Sequence, residues 1–256
     1  MLLVPEGERT VAIGQPAHAR VSGQLAAAWG NARFGSLEPR EEVLLAASQH
    51  DTGMAAWDAA PDRNPATGLP FGFTEMALET HLALWTQAPR LALGQSRYVA
   101  LLVSMHGTAL YEMRDLDALT DADAARVRAY IASQRTFQEG LRESLGARPE
   151  EIARNQRLLW TWDHLSLAVL LGWAPTTARG VPAAPGANAV DLELTPGAEP
   201  GSFTLHPWPF ATPSVHLTCD ARVLDGPYPD EPALHAALGA APWVRVDLTL
   251  LQSTAP

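Results

Sequence analysis

The pattern of apolar and polar positions divides the chain into a helical middle and two strand-like ends. Met1-Leu2-Leu3-Val4 and Thr10-Val11-Ala12-Ile13 flank Pro5-Glu6-Gly7-Glu8, whose composition suits a turn, and predict a β-hairpin within residues 1–15. From residue 16 the apolar spacing becomes helical. Pro16 suits a first turn, and Val21, Leu25, Ala28 and Trp29 mark one face before Gly30-Asn31. Glu38-Pro39-Arg40-Glu41-Glu42 opens a second helix with acidic residues where the helix dipole favours them. Residues 52–72 hold Gly53, Pro61, Pro65, Gly68 and Pro70, which predict a long binding loop rather than a simple connector. Thr74 caps a helix through Leu84 and Trp85, which Pro89 ends or breaks. Tyr98 to Met113 is apolar on nearly all sides, as expected of a buried central helix. A charged helix runs from Asp121 to about Leu145, and a last long one from Pro149 to about Leu171.

From about Ala174 the character changes. Pro, Gly, Ala and Thr dominate to residue 189, and four alternating runs follow: Ala189–Leu194, Ser202–Leu205, Val215–Thr218 and Val244–Leu251. A short helix, Pro232–Leu238, interrupts them. Neither the hairpin nor these strands make a comfortable sheet alone. The expected architecture is therefore mainly α. A helical body over residues 16–173 carries one small antiparallel sheet, built from the hairpin of residues 1–15 and a β-rich appendage of residues 174–256. The whole is expected to form one globular unit.

Composition narrows the function. The chain has 256 residues, 47% hydrophobic and 18% charged, enough for a sizeable core. The net charge of −10 and the lack of a basic run argue against nucleic acid as a partner. All 18 basic residues are arginines, which excludes Schiff-base lysine chemistry and a P-loop lysine. Cys219 is the single cysteine and reads as a small buried hydrophobe; with no intrachain disulfide, a cytoplasmic location is expected. Residues 1–12 do not read as a signal peptide, and no apolar run reaches the length of a membrane span. A homodimer is among the expected assemblies.

The candidate chemistry centres on Ala47-Ser48-Gln49-His50-Asp51-Thr52-Gly53, where a histidine and an aspartate stand side by side as an apolar helix gives out. Both side chains are metal ligands when the imidazole is neutral and the carboxylate ionised. His18, His81, His106 and Asp163 each lie in or beside other apolar, helix-like segments. An ionised aspartate in such a core is costly unless paired or metal-bound. No arginine lies one turn from His50, His81 or His106, although Arg157 and His164 stand near Asp163. Four histidines and two aspartates can hold one or two divalent transition ions, with Fe, Mn, Zn, Ni and Co all compatible. Trp57 and Phe71 in the long loop read as pocket residues or packing anchors. His164 reads as a supporting residue, and His206, His216 and His235 as surface positions. No Gly-x-Ser-x-Gly elbow surrounds Ser104 or Ser166, which speaks against a serine hydrolase.

The order His, His-Asp, His, His, Asp on successive helices resembles the HD-domain superfamily over residues 16–172. Closer local phrases resemble a bacterial family, domain-of-unknown-function family 3891. These are Ala17-His18-Ala19-Arg20-Val21-Ser22-Gly23, His50-Asp51-Thr52-Gly53 with Trp57-Asp58, Ser104-Met105-His106, Trp162-Asp163-His164-Leu165-Ser166-Leu167, and Pro207-Trp208-Pro209-Phe210. The HD resemblance implies a helical bundle in which His18, His50, Asp51 and Asp163 ligate one ion while His81 and His106 bring in a second. It implies a phosphohydrolase acting on a small phosphorylated molecule, with His50 and Asp51 at the catalytic centre and Arg20 and Arg63 holding phosphate. The same superfamily includes mixed-valent di-iron oxygenases, which commonly carry a lysine where this chain has Met54. A non-catalytic metal- or ligand-binding protein is the third expectation.

Overall fold

The computed structural model describes residues 1–253. It opens with the antiparallel hairpin β1 (Leu2–Glu6) and β2 (Arg9–Ile13), which turns at Gly7, whose φ of 63° suits glycine. Then come α1 (Gln15–Ala28) and α2 (Arg40–Gln49). A 3-10 turn, Thr52–Met54, and α3 (Ala55–Ala59) occupy the start of the expected 52–72 loop, so the irregular segment begins only after residue 59. α4 (Leu78–Leu93) starts later than Thr74 and continues through Pro89, which is buried inside it. α5 (Arg97–Glu112), α6 (Asp121–Leu145) and α7 (Pro149–Leu171) complete the helical body. Thr120 caps α6 by accepting from the Asp123 amide at 3.1 Å, and Gly146 ends it in the left-handed conformation.

The remainder is β3 (Thr176–Val181), β4 (Val190–Pro196), β5 (Ser202–His206), β6 (Ser214–Leu224), α8 (Glu231–Ala240) and β7 (Trp243–Gln252). With the hairpin they form one seven-stranded sheet in the order β1-β2-β6-β7-β5-β4-β3. This corrects the expected architecture. Helix accounts for 49% and strand for 21%, and the sheet curls into a half-barrel, so the fold is α/β and neither mainly α nor all-α. Nor is the sheet small or purely antiparallel, because β5 runs parallel to β7. Two strands explain the shortfall. β3 was not expected at all, and β6 extends over 11 residues, well past Thr218.

Helices and sheet share one hydrophobic core that includes Val21, Leu102 and Trp162 on the helical side and Leu194, Leu205 and Leu217 on the sheet side. β2 pairs with β6 only at residues 222–224, which leaves the β6 backbone at Thr218 open on that side. The Gln24 carboxamide of α1 fills the gap. It donates to the Thr218 carbonyl at 2.7 Å and accepts from the Thr218 amide at 2.9 Å. One side chain thereby takes the place of a missing strand and registers α1 on the sheet.

Candidate metal centre

Three helices supply the cluster. His18 lies in the first turn of α1, His50 caps the C-terminal end of α2 with Asp51 beside it, and Asp163 lies in the middle of α7. α1 and α2 approach closely because Gly23 has no side chain; a Cβ there would stand 2.6 Å from the Ser48 Cβ. Gly53 does the same just past the pair, where a Cβ would meet Ala88 of α4 at 2.6 Å. These two contacts seat the His50-Asp51 corner against both neighbours.

The ligand atoms of His18, His50 and Asp163 lie within 4.8 Å of one another. Asp51 Oδ2 stands 2.9 Å from His18 Nε2 and 3.7 Å from His50 Nε2, and Asp163 Oδ1 is 3.3 Å from each Nε2. The second nitrogen of each ring is held from behind. Ser166 Oγ accepts from Ser22 at 2.9 Å and donates to the Asp163 carbonyl at 2.8 Å, so its proton is committed. His18 Nδ1, 2.9 Å from that oxygen, therefore donates. His50 Nδ1 donates to the Ala47 carbonyl at 3.0 Å. In both rings Nε2 is the atom turned toward the carboxylates, the arrangement that metal-binding histidines need.

The charges are balanced inside a buried site. Burial opposes the charged form of His18, but hydrogen bonds and charge from Asp163 and Asp51 outweigh it and raise its pKa to about 9. His50 is raised likewise against burial, chiefly by the charge of Asp51. Burial alone would push both carboxyls up, yet the imidazolium neighbours hold Asp51 low and Asp163 well below the usual carboxylate range. Without an ion, protons on the imidazoles keep the two carboxylates together.

A divalent cation fits the same atoms. Ligands at about 2.0–2.2 Å from an ion stand at most about 4.4 Å apart, so the cluster needs only slight closure. Two imidazoles and the Asp163 carboxylate make a mixed donor set of the kind that Fe, Mn, Zn, Ni and Co accept, with Asp51 Oδ2 beside it at 2.9 Å from His18 Nε2.

His106 of α5 joins the rim. Its Nε2 is 3.8 Å from Asp163 Oδ2, its ring meets His50 at 4.9 Å between centroids, and burial lowers its pKa to about 4. His81 stands outside the cluster. Its Nε2 accepts from the Trp85 indole at 3.0 Å, so its Nδ1 carries the proton and donates to the Tyr111 hydroxyl. Burial and then Arg114 lower its pKa to about 4.

The expected substrate residues have partners of their own. Arg63 donates to the Tyr228 carbonyl at 2.6 Å, and Arg20 is exposed about 200° round α1 from His18. Trp57 is buried in α3, while Phe71 is half-buried with its amide on the Asp62 carbonyl. Residue-type reasoning overlooked Ser22, Ser166, Trp85 and Tyr111. The available signal was spacing: Ser22 follows His18 by four residues and Ser166 follows Asp163 by three, one helical turn in each case.

The family model for DUF3891, described as a protein of unknown function, matches residues 1–226. The chain belongs to the DUF3891 family. The match runs from before β1 to just past β6, so hairpin, helical body and six of the seven strands lie within one DUF3891 unit. No curated protein matches the chain, and no solved structure does.

Proposed function

We propose that this DUF3891 protein is a metal-dependent phosphohydrolase of the HD type, acting on a small phosphorylated molecule. The observation that carries the reading is the convergence of His18, His50, Asp51 and Asp163 from three helices, with each imidazole oriented from behind. These residues would hold a divalent ion, which when bound would supply positive charge for phosphoryl oxygens and lower the pKa of water toward neutrality. His50 and His18 bind through Nε2, and the Ala47 carbonyl and Ser166 keep those rings from turning. Asp51 lies at the corner between His18 and His50, where its carboxylate can orient the attacking water by accepting its proton in a hydrogen bond. The rings of Trp85 and Trp160 pack against His106 at the edge of this site, at 5.6 and 5.4 Å between centroids.

One observation favours a second reading, a binding protein without turnover. Asp163, the most exposed member of the cluster, is only 11% exposed. One experiment separates the two. Protein purified without added metal is analysed for transition elements and then assayed against a panel of small phosphoesters, with His50→Ala and Asp163→Ala alongside. The phosphohydrolase reading expects bound metal and turnover in the wild type and loss of both in the variants. Bound metal with no phosphoester turned over favours the binding protein; equal trace metal in all three sinks the metal centre itself.

A further inference from the structure

A second cleft, of about 260 Å³, opens between α7 and the free edge of β3. Its walls include Arg157, Trp160, His164, Thr177 and Arg179, with Met113 at the rim. Among the described residues no carboxylate lines it, in a chain whose net charge is −10. The nearest acidic residues across the strand pairing are Asp191 and Glu193 of β4. Asp191 accepts from the Gly180 amide at 2.7 Å, Glu193 pairs opposite Thr177, and neither is part of the lining.

Arg157 closes the edge of the sheet. It donates to the Gly180 carbonyl at 3.3 Å and to the Arg179 carbonyl, satisfying two backbone acceptors that no further strand pairs. That bond pattern fixes one guanidinium in the wall. Arg179 is exposed beside it, and His164 is held 3.4 Å from the Thr176 hydroxyl. Two arginines and no carboxylate in the lining suit the cleft to an anion, because charge-assisted hydrogen bonds from guanidinium to phosphate or carboxylate are strong.

One residue, Trp160, is shared between this cleft and the rim of the metal centre. Trp160 lines the cleft and also lies 5.4 Å from His106, ring to ring. His106 Nε2 in turn faces Asp163 Oδ2 at 3.8 Å. Arg157 precedes Asp163 by six residues on α7, about 9 Å along the helix axis. The cleft is smaller than the roughly 300–1,000 Å³ of sites that enclose a whole ligand, so it suits one group of a molecule.

We propose that this cleft holds a second acidic group of the substrate, and hence that the substrate is a small molecule with two anionic groups. One, the phosphoester, lies at the His18/His50/Asp51/Asp163 cluster, and the other lies between Arg157 and Arg179. Assigning the second anion to a substrate rests on the phosphohydrolase reading; the existence of the anion site does not.

The test uses the full chain stripped of metal with a chelator. Inorganic phosphate and, in a parallel arm, acetate are titrated calorimetrically into wild type, Arg179→Glu and His50→Ala. The expected result is binding of at least one anion to wild type and His50→Ala alike, weakened about tenfold or more in Arg179→Glu. Tighter phosphate than acetate names a phosphate as the second group, and the reverse names a carboxylate. Absence of binding to wild type overturns the proposal, as does equal binding by Arg179→Glu. Binding that His50→Ala abolishes and Arg179→Glu keeps puts the anion at the metal cluster and also overturns it. If the anion site passes and no phosphoester is hydrolysed, the hydrolase reading falls while the site stands.

Discussion

Ser166 Oγ sits 2.9 Å behind His18 Nδ1, with its own proton given to the Asp163 carbonyl. The hydroxyl thus ties one ligand to the helix of another. Replacing Ser166 with Ala leaves His18 free to turn and leaves a buried N–H without an acceptor. Metal affinity is expected to fall about 10–100-fold, the usual effect of removing a partner behind a metal-binding histidine. Competition against a fluorescent chelator measures it. Unchanged affinity would mean that the Ser166 contact does not orient the ring.

Metal binding is expected to release protons. His18, raised to about 9, is protonated at neutral pH without an ion, and His50 is raised in the same direction. Ligation requires both to be neutral. Calorimetric titration of metal into the stripped protein, in buffers of different ionisation enthalpy, should give at least one proton released per ion at pH 7. Zero release contradicts the charge pattern of the cluster.

The stripped protein should be least stable at the two ends of the pH range. The His18 pKa lies above its unfolded value of 6.5, so its contribution is full below 6.5 and is lost as pH rises through about 9. His81 and His106, near 4 in the fold, favour the folded state above 6.5, and that advantage is lost as pH falls from 6.5 to about 4. The alkaline loss is on the order of 3 kcal/mol. Denaturant melts from pH 4 to 10 check both limbs. Saturation with metal should flatten the alkaline limb, because the ion takes over from the His18 proton.

His81 gives a prediction about stoichiometry. Both of its nitrogens are occupied, by Trp85 and Tyr111. One ion per chain is expected, and His81→Ala should keep it. Two ions in wild type and one in His81→Ala would show that His81 leaves those partners to ligate.

Gly107 follows His106 and lies under the Trp85 ring. A Cβ there would stand 2.5 Å from that ring and 2.6 Å from the Tyr130 hydroxyl. Gly107→Ala is expected to cost about 1–3 kcal/mol by overpacking, read as a fall in Tm. A neutral result would mean that Trp85 yields without strain.

Much of the helical body was legible because its punctuation is local. Gly146 ends α6 and Pro149 opens α7 through conformations that these residues favour by themselves. The cluster was legible for a different reason: histidine and aspartate on apolar helices need partners, and there are few candidates. The sheet was less legible because its signals depend on neighbours. β3 contains Gly180 at a φ of 62°, and its register shifts between Ala178 and Val181, which breaks the alternation. β6 continues through Asp220 and Arg222, charged positions that alternate with buried Cys219, Ala221 and Val223. The parallel pairing of β5 with β7 joins segments far apart in the chain, and no short pattern encodes it. The partner of Arg63 was hidden for a similar reason, since the Tyr228 carbonyl that its Nε engages lies 165 residues away.

The contact of Gly23 with Ser48 makes the gap between two helices a gauge for the ion. With nothing but hydrogen at that crossing, the His18 and His50 arms are set to one span. A bulkier residue there would act as a spacer far from any donor atom, and the grip on a small cation would slacken although every ligand remained in place.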